Sequence, residues 1–166
     1  MIPRAAISIH RGYLPGCIGR ITELHARFYA AHAGFGLYFE GKVARELAAF
    51  CTRYDVTRDG LWLAQQDDQI EGAVAVDGSH ADTEGAHLRW FITSDALRGS
   101  GAGTQLLTQA LAFCDVRGYR KVYLWTFEGL HAARHLYEKN GFRLAQQQPG
   151  RQWGTEVVEQ RFERVR

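Results

Sequence analysis

A chain of 166 residues that is 46% hydrophobic and 23% charged, with three prolines and 18 glycines, has the composition of a soluble globular protein. That excludes a disordered, collagenous or membrane-embedded chain, and folding should bury roughly 70% of the unfolded surface, so one domain over residues 1–166 is expected. The net charge of +2 hides a split: residues 1–58 carry eight basic and four acidic side chains, 59–97 carry one and eight, and 98–166 carry eleven and six.

Along the chain, Ala6–His10 alternates in polarity and predicts a short strand, followed by a turn around Pro15-Gly16. Ile18, Ile21, Leu24, His25 and Phe28 recur at helical spacing up to about Ala33, where Gly34 and Gly36 mark a break. A second helix is expected from Leu37 to about Tyr54, through Phe39, Val43, Leu47 and Phe50. Leu61–Gln65 and Ile70–Val76 read as two strands joined by the polar connection Gln66–Gln69. After an acidic, turn-rich loop from Asp77 to Gly85, His87–Thr93 forms the next strand and leads into a glycine-rich turn. A helix is expected from about Gly103 to Arg117, with Leu106, Leu107, Ala110, Leu111 and Cys114 on one face and Gly118 ending it. Lys121–Phe127 is a strand and His131–Lys139 a short helix stopped by Asn140-Gly141. Phe142–Gln147 and Val157–Phe162 are closing strands around a loop at Pro149-Gly150.

Scattered single basic residues do not make a nucleic-acid tail, although they can rim a phosphorylated ligand. Cys17, Cys51 and Cys114 are widely separated and odd in number, which excludes a disulfide framework or zinc ribbon and suits a reducing compartment. No apolar run reaches the ~18 residues of a membrane span, and the first ten residues lack the apolar core of a secretion signal. A cytoplasmic protein without membrane or nucleic-acid partners is therefore expected.

The segment Arg98-Gly99-Ser100-Gly101-Ala102-Gly103-Thr104 lies between a strand and a helix. Glycines there let backbone N–H groups converge beside the positive end of a helix dipole, a combination that can hold a phosphate or pyrophosphate. It is not a P-loop, since no Lys follows before Lys121, and Thr104 stands where the dinucleotide fingerprint needs glycine. A ligand-free connection between strand and helix is the alternative reading.

Arg98, Gly101 and Gly103 match the Gln/Arg-x-x-Gly-x-Gly/Ala pyrophosphate loop of the GNAT acyl-CoA N-acyltransferases. About thirty residues on, Ala133, Leu136, Tyr137, Glu138, Lys139, Gly141 and Phe142 match that family's Ala-x-x-Leu-Tyr-Glu-Lys-x-Gly-Phe block. With the element order also shared, the chain resembles this family over nearly its whole length. Within it, Phe39-Glu40, Gly118–Lys121 and Leu124–Thr126 look most similar to acetyltransferase domains often fused behind MarR-type regulators, whose DNA-binding half is not expected here.

The resemblance implies an α/β fold with a mixed, mostly antiparallel seven-stranded sheet flanked by four helices. It implies acetyl-CoA as co-substrate and transfer of its acetyl group to a primary amine of a small molecule or peptide by direct attack. Phe91, Ile92 and Thr93 would bind the pantetheine arm and polarise the acetyl carbonyl on a strand splayed by a bulge. Arg98, Gly99, Ser100, Gly101, Ala102, Gly103 and Thr104 would hold the pyrophosphate. Tyr137 would be the acid, because a phenol of pKa near 10 stays protonated at neutral pH and can reprotonate a departing thiolate. Where many relatives place an Asn, seven residues before that Tyr, this chain has Leu130.

An amine nucleophile also needs a base, and Tyr123–Phe127 lacks the strand Glu of many relatives, with Glu128 just beyond. Glu40 is the first candidate, from the helix that shapes the acceptor site in the family, followed by Glu84 and His87. Each also has a plain reading as surface or structure. His131 and His135 share an i, i+4 spacing but no third ligand, so no metal is expected. Trp90 and Trp125 suit a core or slot wall, and Arg89 suits either a carboxylate ligand or an ion pair. The acidic excess in 59–97 hints at a cationic acceptor. Rival readings are an acyl-CoA sensor without catalysis and an interaction module that has lost the cofactor; a homodimer is compatible with all three.

Overall fold

The computed structural model describes Ile2, Pro3 and residues 5–166. Its elements are β1 (Ser8–Arg11), α1 (Cys17–Ala33), α2 (Leu37–Thr52), β2 (Gly60–Gln66), β3 (Gln69–Asp77), β4 (Ala86–Thr93), α3 (Ala102–Val116), β5 (Lys121–Phe127), α4 (His131–Lys139), β6 (Arg143–Gly150) and β7 (Val157–Val165). The strands form one seven-stranded sheet in the order β1-β2-β3-β4-β5-β7-β6. Only β4 and β5 pair in parallel; every other neighbouring pair is antiparallel.

Alternation in the strands feeds two cores, one on each face of the sheet. On one face Leu106, Leu107, Ala110 and Cys114 of α3 and Tyr137 of α4 pack with Val74, Val76, Val122, Phe142 and Phe162. On the other, Ile21 of α1 and Phe39, Val43, Leu47 and Phe50 of α2 cover Leu61, Leu63, Ala73, Ala75 and Trp90. The β2–β3 hairpin turns through Asp67 and Asp68, both left-handed at φ 52° and 60°, as a two-residue turn matched to strand twist requires.

Two expectations need correction. Pro149 and Gly150 are not a loop: they continue β6 and pair with Val158 and Val157, and the turn falls at residues 151–156. Proline is tolerated because β6 is the edge strand, where a missing N–H need not break a ladder. Cys17 and Cys51 are separated in sequence but meet in space, where the thiol of Cys51 lowers the Cys17 pKa to about 6 and is itself raised. All three cysteines are free.

The sheet opens in the middle. The β4–β5 ladder consists of Ala86↔Val122 and His87↔Tyr123 and goes no further. On the other edge of β4, Ala75 pairs with Arg89 and Ala73 with Ile92, so Trp90 and Phe91 together oppose Val74. This is a β-bulge, and Trp90 takes the unusual φ of 50° at its centre. The bulge bends β4 away from β5, and the two strands diverge into a slot.

Candidate active site

Two adjoining cavities occupy this slot. A larger one of about 420 Å³ lies on the α1–α2 side and is lined by β4, β5 and both helices, with Gln152 and Trp153 from the β6–β7 turn closing it. A smaller one of about 320 Å³ runs between the end of β4, the start of α3 and the start of α4. Tyr29, Phe91, Leu130 and Ala133 line both, so the cavities meet at the bulge. Trp153 reaches the larger cavity because the turn sits hard against α2: a Cβ on Gly154, at φ 89°, would lie 2.7 Å from the Tyr38 ring.

The smaller cavity gathers Phe91, Ile92, Thr93 and Gly103, four of the residues assigned to the co-substrate. Beyond it, the chain leaves β4 through one 3₁₀ turn at Asp95–Leu97 and enters α3. Gly99 and Gly101 adopt φ of 73° and 80°, conformations that only glycine takes without strain, and Gly101 caps the helix. The Ala102 N–H is taken by the Ser100 hydroxyl, at 3.2 Å. Those of Gly101, Gly103 and Thr104 have no hydrogen-bond partner among the described residues, as the first turn of a helix leaves its donors free. A converging set of free donors at a helix N-terminus, opening beside a slot, fits a pyrophosphate group. The Arg98 guanidinium lies outside it, 79% exposed and 2.7 Å from Asp95.

Tyr137 projects from α4 into the larger cavity. Its ring is packed edge-on against Phe91 and Phe142 at centroid distances of 6.1 and 5.9 Å, and only 7% of the residue is exposed. The hydroxyl has no hydrogen-bond partner among the described residues, yet it is not among buried unsatisfied atoms, so it opens on the cavity that the residue lines. Burial, and the nearby Tyr29, push its pKa above the ordinary value for tyrosine, so it stays protonated.

Of the carboxylates considered as bases, neither reaches the slot. Glu40 is exposed on α2 and lines neither cavity, while Glu84 is exposed and lies 3.3 Å from the Tyr123 hydroxyl. One turn and a half further along α2, Glu46 faces the cavity instead, and there it is claimed by Lys42 at 2.9 Å and Arg89 at 2.5 Å. Burial raises its pKa, but the two cations outweigh that and hold it low.

Two imidazoles also line the larger cavity. His87 stacks on Tyr123 where β4 and β5 are still paired, and burial lowers its pKa to about 3. His25 of α1 was expected only as part of an apolar helical face. It is buried, with Nδ1 2.8 Å from the Ile21 carbonyl, and desolvation lowers its pKa to about 4. A carbonyl can only accept, so Nδ1 carries the proton and Nε2 is left as a neutral acceptor. Nothing in the sequence separates this His from an ordinary core residue except that it stands four residues before Tyr29, on which it stacks at 6.1 Å. His131 and His135 are both exposed on α4, and no group of three or more potential metal ligands occurs among the described residues.

A profile of the Acetyltransferase (GNAT) family matches residues 19–142, most of the chain and all of the slot except its last turn. The chain belongs to the GNAT acetyltransferase family. A curated relative, an uncharacterized N-acetyltransferase of Methanocaldococcus jannaschii, is 27% identical over 121 residues; the match covers 69% of this chain and about half, 53%, of that protein. Among solved structures, an acetyltransferase from Streptococcus agalactiae superposes with a TM-score of 0.74 at 16% identity, covering 96% of this chain and 98% of the other. A GNAT family acetyltransferase from Elizabethkingia anophelis with acetyl-CoA bound gives 0.63 at 20% identity, covering 96% and 98%. At such identities the likeness establishes the fold, and this chain has the GNAT fold. No helix among the described residues is long and apolar enough to cross a membrane.

Proposed function

We propose that this GNAT chain is an acetyl-CoA-dependent N-acetyltransferase of a primary amine, with the whole of residues 1–166 forming one such domain. The observation that carries the proposal is the junction of the two cavities at the β4 bulge, where the Tyr137 ring faces the same space as β4 backbone that is unpaired on its β5 side. Acetyl-CoA would supply an acetyl thioester. The free N–H groups of Gly101, Gly103 and Thr104 would bind its pyrophosphate, and the open backbone of Phe91–Thr93 would hold the pantetheine arm and polarise the carbonyl.

With donor and acceptor both bound, the acceptor nitrogen forms a C–N bond as the C–S bond breaks. Tyr137 Oη gives its proton to the departing sulfur. The proton shed by nitrogen would go to Nε2 of His25, a neutral acceptor on a ring that lines the same cavity. A nitrogen already bonding to a carbonyl gives up its proton far more readily than a free ammonium, so a weakly basic imidazole suffices. The segments around Phe39-Glu40, Gly118–Lys121 and Leu124–Thr126 support kinship with domains fused to MarR-type regulators, and three free thiols suit a cytoplasmic setting.

Tyr137→Phe removes a hydroxyl that bonds nothing among the described residues, so the fold and acetyl-CoA affinity should persist while kcat falls on the order of 10²-fold. Thiol release with a panel of amines, beside calorimetry with acetyl-CoA, reads both. Unchanged turnover would remove Tyr137 from the mechanism. Tight acetyl-CoA binding with no amine acetylated would favour a sensor.

A further inference from the structure

We infer that the acceptor is an α-amino acid with an apolar, aromatic side chain, recognised through its carboxylate by Arg89 and Lys42. This rests on the acetyltransferase reading above and names the substrate of that same site.

The charges facing the larger cavity carry the inference. They are Lys42, Glu46 and Arg89, with His25 and His87 as uncharged rings. Two cations and one anion leave the cavity with one uncompensated positive charge. Lys42 and Glu46 are one helical turn apart on α2, 2.9 Å from each other, and Glu46 reaches across to Nη2 of Arg89 on β4. That contact uses one donor of the guanidinium. The others find no partner among the described residues and are not buried, on a residue that lines the cavity. The plane is braced against Trp90, with its central carbon 4.1 Å from the ring centroid. A guanidinium fixed on one edge and free on the other is suited to a second carboxylate.

A polycation is disfavoured by the same residues. The eight acidic side chains of the 59–97 segment, which suggested a cationic acceptor, do not line either cavity. Asp59 is buried and accepts from the Asp55 and Gly78 N–H groups, Asp77 pairs with Arg53, and Glu71 pairs with Arg20. Asp67 and Asp68 form the hairpin turn, Asp95 pairs with Arg98, and Asp82 and Glu84 are exposed in the loop before β4.

Position and shape narrow the acceptor further. Arg89 stands two residues before Phe91, no more than about 7 Å along the strand. An amine attacking at the bulge would therefore leave a carboxylate of the same small molecule within reach of Arg89, as in an α-amino acid. Much of the remaining cavity wall is aromatic, with Tyr29, Phe35, Phe39, Trp125, Phe127 and Trp153 beside aliphatic residues such as Val43, Leu124 and Leu130. Its volume lies at the small end of the range for small-molecule sites. The reacting form of an amino acid has a neutral nitrogen and a net negative charge, which an excess positive charge favours.

The test compares L-phenylalanine with L-phenylalaninamide, identical in shape but without the charge, and with spermidine, each with acetyl-CoA and thiol release as readout. Expected is a kcat/KM at least tenfold higher for phenylalanine than for either, carried mainly by KM. Arg89→Met should abolish the preference, raising KM for phenylalanine at least tenfold so that phenylalanine is acetylated no better than its amide by the same variant. If the amide or spermidine is acetylated as well as phenylalanine by the wild-type enzyme, the proposal falls and the acetyltransferase reading stands. If acetyl-CoA binds by calorimetry and no amine is acetylated, both fall together.

Discussion

At the scale of single residues, the slot turns on polar groups whose protons are fixed by burial. His25 is held neutral because the surroundings of α1 and the sheet exclude water, and its folded pKa of about 4 lies below the 6.5 of an exposed imidazole. Between those values the unfolded chain binds a proton that the folded chain does not, so stability rises with pH there and is lost as pH falls from about 6.5 towards 4. The slope expected from His25 is about 1.4 kcal/mol per pH unit inside that window. Thermal melting should give a Tm that falls from pH 6 to 4.5, and His25→Leu should flatten part of that fall. A wild-type Tm that does not move between pH 6 and 4.5 would mean that His25 is solvated. In the sequence, Tyr137 stood out because a two-motif pattern surrounds it. His25 and Glu46 did not, because a helix wheel shows which face is apolar and not which part of that face borders an opening.

At the scale of elements, the glycine loop joins β4 to α3 with two kinds of glycine. Gly101 at φ 80° has open space around it, so Gly101→Ala meets no clash but places an L residue in the left-handed region, a cost of about 1–2 kcal/mol. Gly103 is helical, and an added Cβ would lie 3.7 Å from Phe91 and 3.8 Å from Thr93, ordinary contacts within the lining of the smaller cavity. Gly103→Ala should therefore keep or slightly raise Tm through helix propensity, while weakening acetyl-CoA at least tenfold by filling the space where free N–H groups converge. Gly101→Ala should lower Tm. Differential scanning fluorimetry separates the two, and calorimetry with acetyl-CoA reads the binding loss; equal acetyl-CoA affinity in Gly103→Ala would move the ligand elsewhere. The loop was legible in sequence from its glycines and its place between a strand and a helix. The bulge at Trp90–Phe91 was expected only from the family resemblance, since nothing local in His87–Thr93 marks where its ladder stops.

For the whole molecule, one sheet separates two cores, and the slot exists because both cores hold a sheet that is unpaired at its centre. Phe162 and Phe50 are fully buried on opposite faces. Phe162→Ala and Phe50→Ala should each lower stability by about 3–5 kcal/mol. Because every strand joins the same sheet, each should shift a single unfolding transition without creating a second. Denaturant unfolding followed by tryptophan fluorescence and by circular dichroism checks this, and non-coincident curves in either variant would show that the faces unfold separately.

By itself, the sequence determined the elements, their order and the family: periodic burial, glycine turns and two spaced motifs are local properties, and local properties are written along the chain. Even the expected fold followed, because that order matched a known one. The tertiary structure decided where charge and space meet. Whether the acidic middle segment faces the slot, which carboxylate of α2 points inward, and which histidine loses its water depend on contacts between residues far apart in sequence. The net charge of +2 could not disclose that the acidic residues of 59–97 lie outside the slot while Lys42, Glu46 and Arg89 line it.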